Sequence, residues 1–213
     1  MRIKLNLQIF VFILLFYLTN QLELYILLII FALIHEFAHI ITGIFYGLKP
    51  KTLKITPFGI SIYFEKYKKN GKKVLEKQKL VIVLAGPITN ILMAFIIMLL
   101  PSNLFLYISQ ETFIYVNLLL AIFNLIPIYP LDGGRLLKSI LTLKNVEKRK
   151  SIILTERVSY ITLITLTVLS SIIILIIKNI SIFFIIIYLW YLVLEQVRYN
   201  NIRLKVYEMI KKK

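Results

Sequence analysis

The sequence predicts an all-α membrane protein with about six transmembrane helices and a short β-hairpin at the membrane surface after the second. Three observations carry this. Hydrophobic residues make up 59% of the 213, and the mean hydropathy is +0.84, too apolar for a chain surrounded by water. Apolar runs alternate with lysine-rich stretches, so the formal net charge of +16 is gathered in a few places, as in spans joined by basic loops. With six spans, 25 of the 26 lysines and arginines fall on one side of the membrane, as the positive-inside rule requires.

The spans are expected at residues 5–18, 22–46, 80–100, 113–128, 158–177 and 180–194. The second, third and fifth reach the roughly 20 helical residues that a hydrocarbon core of about 30 Å requires. The first and sixth are shorter and need snorkelling side chains or local thinning of the bilayer. Arg2 and Lys4 ahead of an apolar run also fit a signal peptide. However, Thr19, Asn20, Gln21 and Glu23 offer no small-residue cleavage pattern, and a retained span is expected.

The basic residues fall at Arg2 and Lys4, between Lys49 and Lys79, from Arg135 to Arg157 and from Arg198 to Lys213, leaving only Lys178 opposite. Both termini and the two long loops are therefore expected in the cytoplasm, and Tyr188, Trp190 and Tyr191 fit an aromatic belt at that interface. The lysine-rich stretch 66–79 reads as this cytoplasmic bias plus attraction to anionic lipid heads, with no nucleic-acid partner. Upstream, Leu53-Lys54-Ile55-Thr56 and Ile60-Ser61-Ile62-Tyr63-Phe64 alternate around Pro57-Phe58-Gly59, which suggests the hairpin. Gly43 and Gly47 are spaced for close helix packing or a helix end.

Chemistry concentrates in Ile34-His35-Glu36-Phe37-Ala38-His39-Ile40. Residues four apart share a helix face, so His35 and His39 can offer two imidazoles to one ion. Glu36 is spaced to take a proton from a metal-bound water, the H-E-x-x-H arrangement of metalloproteases. The alternative is two core histidines bonded to carbonyls. Each ionisable group deep in a bilayer costs at least about 2.5–3.5 kcal/mol, so three within five residues call for a partner such as a cation. These are also the only two histidines, and with no cysteine in the chain a transition-metal site must be built from histidine and carboxylate.

A catalytic zinc normally takes a third protein ligand. Most of the ten acidic residues lie at the outer side or in basic loops, and Asp132 stands out directly after the fourth span. Asp132-Gly133-Gly134 alone is a turn, and Asp132 could simply cap the helix that follows. Against this, Pro127 and Pro130 break the helix at membrane depth, where freed backbone groups need protein or a water-lined cavity.

Together, H-E-F-A-H at residues 35–39 and N-x-x-P-x-x-P-L-D-G-G-R at 124–135 resemble the site-2 protease family of intramembrane zinc metalloproteases, peptidase M50, and most closely its sporulation branch. The likeness extends through residues 49–65 and Ala85-Gly86-Pro87-Ile88-Thr89-Asn90, covering about residues 22–135, with Ile60 where a second glycine is expected. It implies His35, His39 and Asp132 as ligands of one zinc per chain and Glu36 as the catalytic base. Asn124 resembles the family's asparagine near the substrate cleft, and an interhelical hydrogen bond explains it equally well. Gly86, Pro87 and Asn90 are expected to shape and pack the third span.

The resemblance further implies an integral protein of a bacterial cytoplasmic or forespore membrane that hydrolyses membrane-associated precursor proteins near the cytoplasmic side. A sporulation pro-sigma factor is one such substrate, and regulatory membrane proteins are expected partners alongside the lipid bilayer. One domain spanning 1–213 is expected, with no separate peptide-binding or nucleotide-sensing domain. A metal transporter using the same ligands, or an inactive scaffold, are the competing classes. Transporters spread polar groups over several spans and repeats, whereas these converge on one site with Glu36 intact.

Overall fold

A computed structural model of the protein describes residues 2–5, 7–56, 59–64, 74–105, 107–177 and 181–211. The chain divides into two compact units, Met1–Asn124 and Leu125–Lys213.

The first unit begins with β1 (Arg2–Leu5), α1 (Gln8–Leu18), α2 (Leu22–Phe45), β2 (Pro50–Thr56) and β3 (Gly59–Phe64). It continues through α3 (Glu76–Leu99), a 3₁₀ turn at Ser102–Leu104 and α4 (Gln110–Leu125). Residues 2–5 correct the expected start of the first apolar span. Arg2-Ile3-Lys4-Leu5 alternates with the period of a strand, and β1 pairs parallel to β2 from Arg2↔Thr52 to Leu5↔Ile55. β2 in turn pairs antiparallel to β3, with Leu53↔Ile62, Ile55↔Ile60 and Thr56↔Gly59 in register. Residues Pro57-Phe58 at the expected hairpin tip, the stretch 66–73 and Lys178 lie outside the described residues.

A tight turn joins α1 to α2. Asn20 takes the left-handed conformation there (φ 55°), which asparagine tolerates better than most residues, and Thr19 Oγ1 donates to the Leu15 carbonyl at 3.0 Å. The rings of Phe16 and Tyr25 stack across the pair with centroids 4.6 Å apart. At 11 residues α1 is about 16 Å long, whereas α2 and α3, at 24 residues each, reach about 36 Å. Among the described residues four helices are long and apolar enough to cross a membrane, namely α2, α3, α6 and α7. The six-span expectation also counts α1 and α4, which are shorter apolar helices.

The spacing of Gly43 and Gly47 proves to mark a strand contact and a helix end. A methyl group on Gly43 would lie 2.6 Å from Phe64 Cε1 on β3. Gly47 closes α2 in the left-handed region (φ 80°), and Leu48 N–H returns to the Gly43 carbonyl at 2.9 Å, a closure that glycine allows without steric cost. The core between the long helices holds Leu27, Phe31 and Ala32 of α2, Ile97 of α3, and Val116 and Leu120 of α4. Gln110 Nε2 donates to the Ile97 and Leu100 carbonyls at 2.7 and 2.8 Å, satisfying groups that the end of α3 leaves without helical partners.

In the second unit, α5 (Asp132–Leu143), α6 (Lys148–Ile177) and α7 (Ser181–Lys211) follow one another. Both long helices outrun the expected apolar spans. Trp190 Nε1 donates to Thr167 Oγ1 at 3.1 Å, and Asn200 Nδ2 donates to Glu156 Oε1 at 2.8 Å. Those pairings run in opposite directions along the chain, so α6 and α7 are antiparallel and their polar extensions lie at the same end. Ile161, Ile164, Val168 and Ile172 form an exposed apolar face along α6, a surface suited to lipid.

Candidate metal centre

Within the first unit, the helical spacing of His35 and His39 brings both onto the buried face of α2, at 3% and 4% exposure. Their rings meet edge to face, with centroids 4.8 Å apart. Glu36, one position on, is half-buried beside them.

The opposing helix determines what the imidazoles can do. His39 Nδ1 lies 2.6 Å from the Ile82 backbone carbonyl, and His35 Nδ1 lies 3.1 Å from Asn90 Oδ1. A carbonyl oxygen only accepts, so each ring donates from Nδ1, the arrangement that turns Nε2 toward the space between the helices as the nitrogen able to ligate. Outer partners of this kind orient metal-ligating histidines and raise their basicity. Both Nε2 atoms converge beside Gly86, where a methyl group would lie 2.5 Å from His39 Nε2, 2.6 Å from His35 Cδ2, and closer still to His35 Nε2. Two imidazoles held through Nδ1, with their Nε2 atoms brought together where Gly86 lacks a side chain, fit a divalent zinc ion well.

Pro87 lies in the same turn of α3. It cannot donate to the carbonyl four residues back, which interrupts the helical ladder at the turn where Ile82 accepts from His39. Sequence reasoning assigned Gly86, Pro87 and Asn90 to shaping and packing. The structure makes Asn90 and Ile82 the hydrogen-bond partners of the two histidines and Gly86 the clearance for them. One signal pointed this way, since an amide in mid-span next to a Gly-Pro pair needs a partner in lipid.

Asp132 belongs to the second unit. It is buried at 4% exposure in the first turn of α5. The residue at the cap position is Leu131, which makes no side-chain capping bond, and Asp132 is the first residue of the helix. Arg135 Nη1 stands 3.6 Å from Asp132 Oδ1, long for a hydrogen bond. The two glycines that follow permit a close fold-back. A methyl on Gly134 would lie 2.6 Å from Tyr129 Cα, and one on Gly133 would collide with the Leu125 and Ile126 carbonyls. Tyr129 N–H, in the loop that carries Pro127 and Pro130, donates to Ser159 Oγ at 2.9 Å. Asn124, at the end of α4, donates from Nδ2 to the Leu120 carbonyl at 3.0 Å. This bond stays within its own helix.

The helices and the imidazole pair define the class: an integral membrane protein with a histidine centre suited to a metal ion in its long helices. The family model described as Peptidase family M50 matches residues 23–110 and 103–169, and the chain belongs to that family. It is 32% identical over 121 residues to stage IV sporulation protein FB of Bacillus subtilis, a match covering 56% of this chain and 41% of that protein. A protein named zinc metalloprotease from Methanocaldococcus jannaschii is 31% identical over 125 residues, covering 57% of this chain and 35% of its own length. The chain thus spans less than half the length of these curated relatives. Its fold is similar to the solved site-2 protease from Methanocaldococcus jannaschii, with a TM-score of 0.69 at 24% identity over 91% of this chain and 89% of that one.

Proposed function

We propose that this chain is an intramembrane zinc metalloprotease that hydrolyses peptide bonds in membrane-associated precursor proteins. The observation that carries the reading is the convergence of two Nε2 atoms beside Gly86 with both Nδ1 atoms tied to carbonyl oxygens. His35 and His39 would hold one zinc ion, with Asp132 as the third ligand. Support for Asp132 comes from its burial in a chain with only ten acidic residues and from the loop motif that precedes it. When bound, zinc supplies a Lewis acid that acidifies a water and polarises a carbonyl.

Glu36 takes the proton of the attacking water as the new C–O bond forms at the scissile carbon. It then delivers that proton to the amide nitrogen as the C–N bond breaks. Asn124 is the proposed contact for the substrate backbone, through its side-chain amide. By likeness to stage IV sporulation protein FB, the finer form of the proposal is a sporulation pro-sigma factor cut near the cytoplasmic side of a forespore or cytoplasmic membrane.

The sheet supports a topology. β1 and β2 are hydrogen-bonded neighbours, so the segments joining them, α1 and α2, leave and return to one face. We place that face, with both termini, in the cytoplasm on the charge distribution, and lay the β2–β3 pair along the membrane surface.

The test is Glu36→Gln. Zinc content should stay at about one per chain, while cleavage of a co-expressed tethered precursor should fall by about 10²–10⁴-fold. A zinc-loaded Gln variant that cleaves at the wild-type rate would overturn the mechanism, and zinc flux through vesicles without cleavage would favour a transporter.

A further inference from the structure

The hydrogen bonds of the two histidines differ in kind. His39 is held by the Ile82 main-chain carbonyl, a group that no side-chain substitution removes. His35 is held by a side chain 55 residues away in sequence, that of Asn90. Asn90 is 1% exposed in the middle of a span, and its other polar atom, Nδ2, has no hydrogen-bond partner among the described residues.

That pattern is hard to reconcile with packing alone. A side-chain amide that joins helices can use both donor and acceptor, and an unmet buried donor weakens a fold. Leucine would fill the same space without that cost. Here only the oxygen is used, and its partner is the nitrogen that decides which end of the His35 ring can ligate.

We propose that Asn90 is a positioning residue that fixes the Nδ1–H tautomer and the ring orientation of His35. It acts through His35 and touches neither metal nor substrate. The proposal deepens the zinc reading and rests on it only for its effect on metal affinity, because the tautomer is a property of the chain without metal. It also predicts that a carboxylate should serve at position 90. Asn90→Asp keeps the accepting oxygen, removes the unmet donor and creates a carboxylate–histidine–metal arrangement.

The chain has only two histidines, which gives the test an internal control. Protein purified without a polyhistidine tag, in detergent and stripped of metal, is labelled with ¹⁵N at the imidazole nitrogens. Wild type should show both rings as the Nδ1–H tautomer. In Asn90→Leu one ring should lose that preference while the other, held by Ile82, keeps it. Zinc affinity by chelator competition should fall about 10–100-fold, and Asn90→Asp should restore both properties. If the leucine variant fails to fold, Asn90→Ser, which shortens the reach to His35, carries the same expectation.

Unchanged rings in the leucine or serine variant would overturn the proposal, as would both rings changing together in a folded chain. Wild-type zinc affinity in a variant whose ring has changed would also overturn it. Failure of the zinc reading itself would look different: wild type would bind no zinc, with the His35 tautomer still dependent on Asn90.

Discussion

Replacing Gly86 with alanine tests the centre through the sign of its effect. In the middle of an ordinary helix this change stabilises by about 0.5–1 kcal/mol, since alanine loses less conformational freedom on folding. At Gly86 the added methyl would lie 2.5 Å from His39 Nε2 and 2.6 Å from His35 Cδ2, where carbon–nitrogen contacts of about 3.5 Å or more are comfortable. About 1 Å of movement must therefore be found. Swinging the rings aside would strain the bonds to Ile82 and Asn90, each contributing about 0.5–1.5 kcal/mol net. Moving α3 away from α2 would open their packed interface, and overpacking of this kind costs about 1–3 kcal/mol. Metal sites tolerate ligand displacements of only about 0.5 Å, so zinc affinity should fall by at least about tenfold, and thermal stability without metal should fall as well. The assays are chelator competition and thermal unfolding of the purified protein in detergent. A Gly86→Ala variant that binds zinc as wild type does and unfolds at a higher temperature would refute the close approach of α3 to the histidine pair.

Other expectations follow from the proposed ligand set and topology. His39→Ala and Asp132→Ala should each strip zinc from the purified protein, measured by elemental analysis, and retention by the Asp132 variant would point to a different third ligand. Reporter fusions at Asn103 and at the C-terminus should report opposite sides of the membrane, with the C-terminal fusion cytoplasmic. Both reporting the same side would break the six-span arrangement.

Periodicity and transfer energetics act on neighbours in sequence, and what they control was legible without the structure. The 3.6-residue turn puts His35 and His39 on one face whatever lies opposite. Hydropathy marks α2, α3 and the apolar parts of α6 and α7, because the cost of lipid exposure is summed residue by residue. The prolines at 127 and 130 end α4 because they cannot continue its hydrogen-bond ladder. Even so, Leu5 was placed in the first span, and the strand it belongs to went unread. Arg2–Leu5 forms a strand because an edge about 50 positions away supplies its hydrogen-bond partners, and no local rule reports such a partner. The extensions of α6 and α7 past the apolar runs depend likewise on contacts such as Glu156 with Asn200, made between helices. At the candidate metal centre the sequence by itself determined which side chains could ligate, through residue type and spacing on one helix. Only the tertiary structure decided which nitrogen of each ring is presented and why position 86 must lack a side chain. Both depend on α3 packing against α2, where Ile82, Gly86 and Asn90 meet histidines some 40 to 55 residues away.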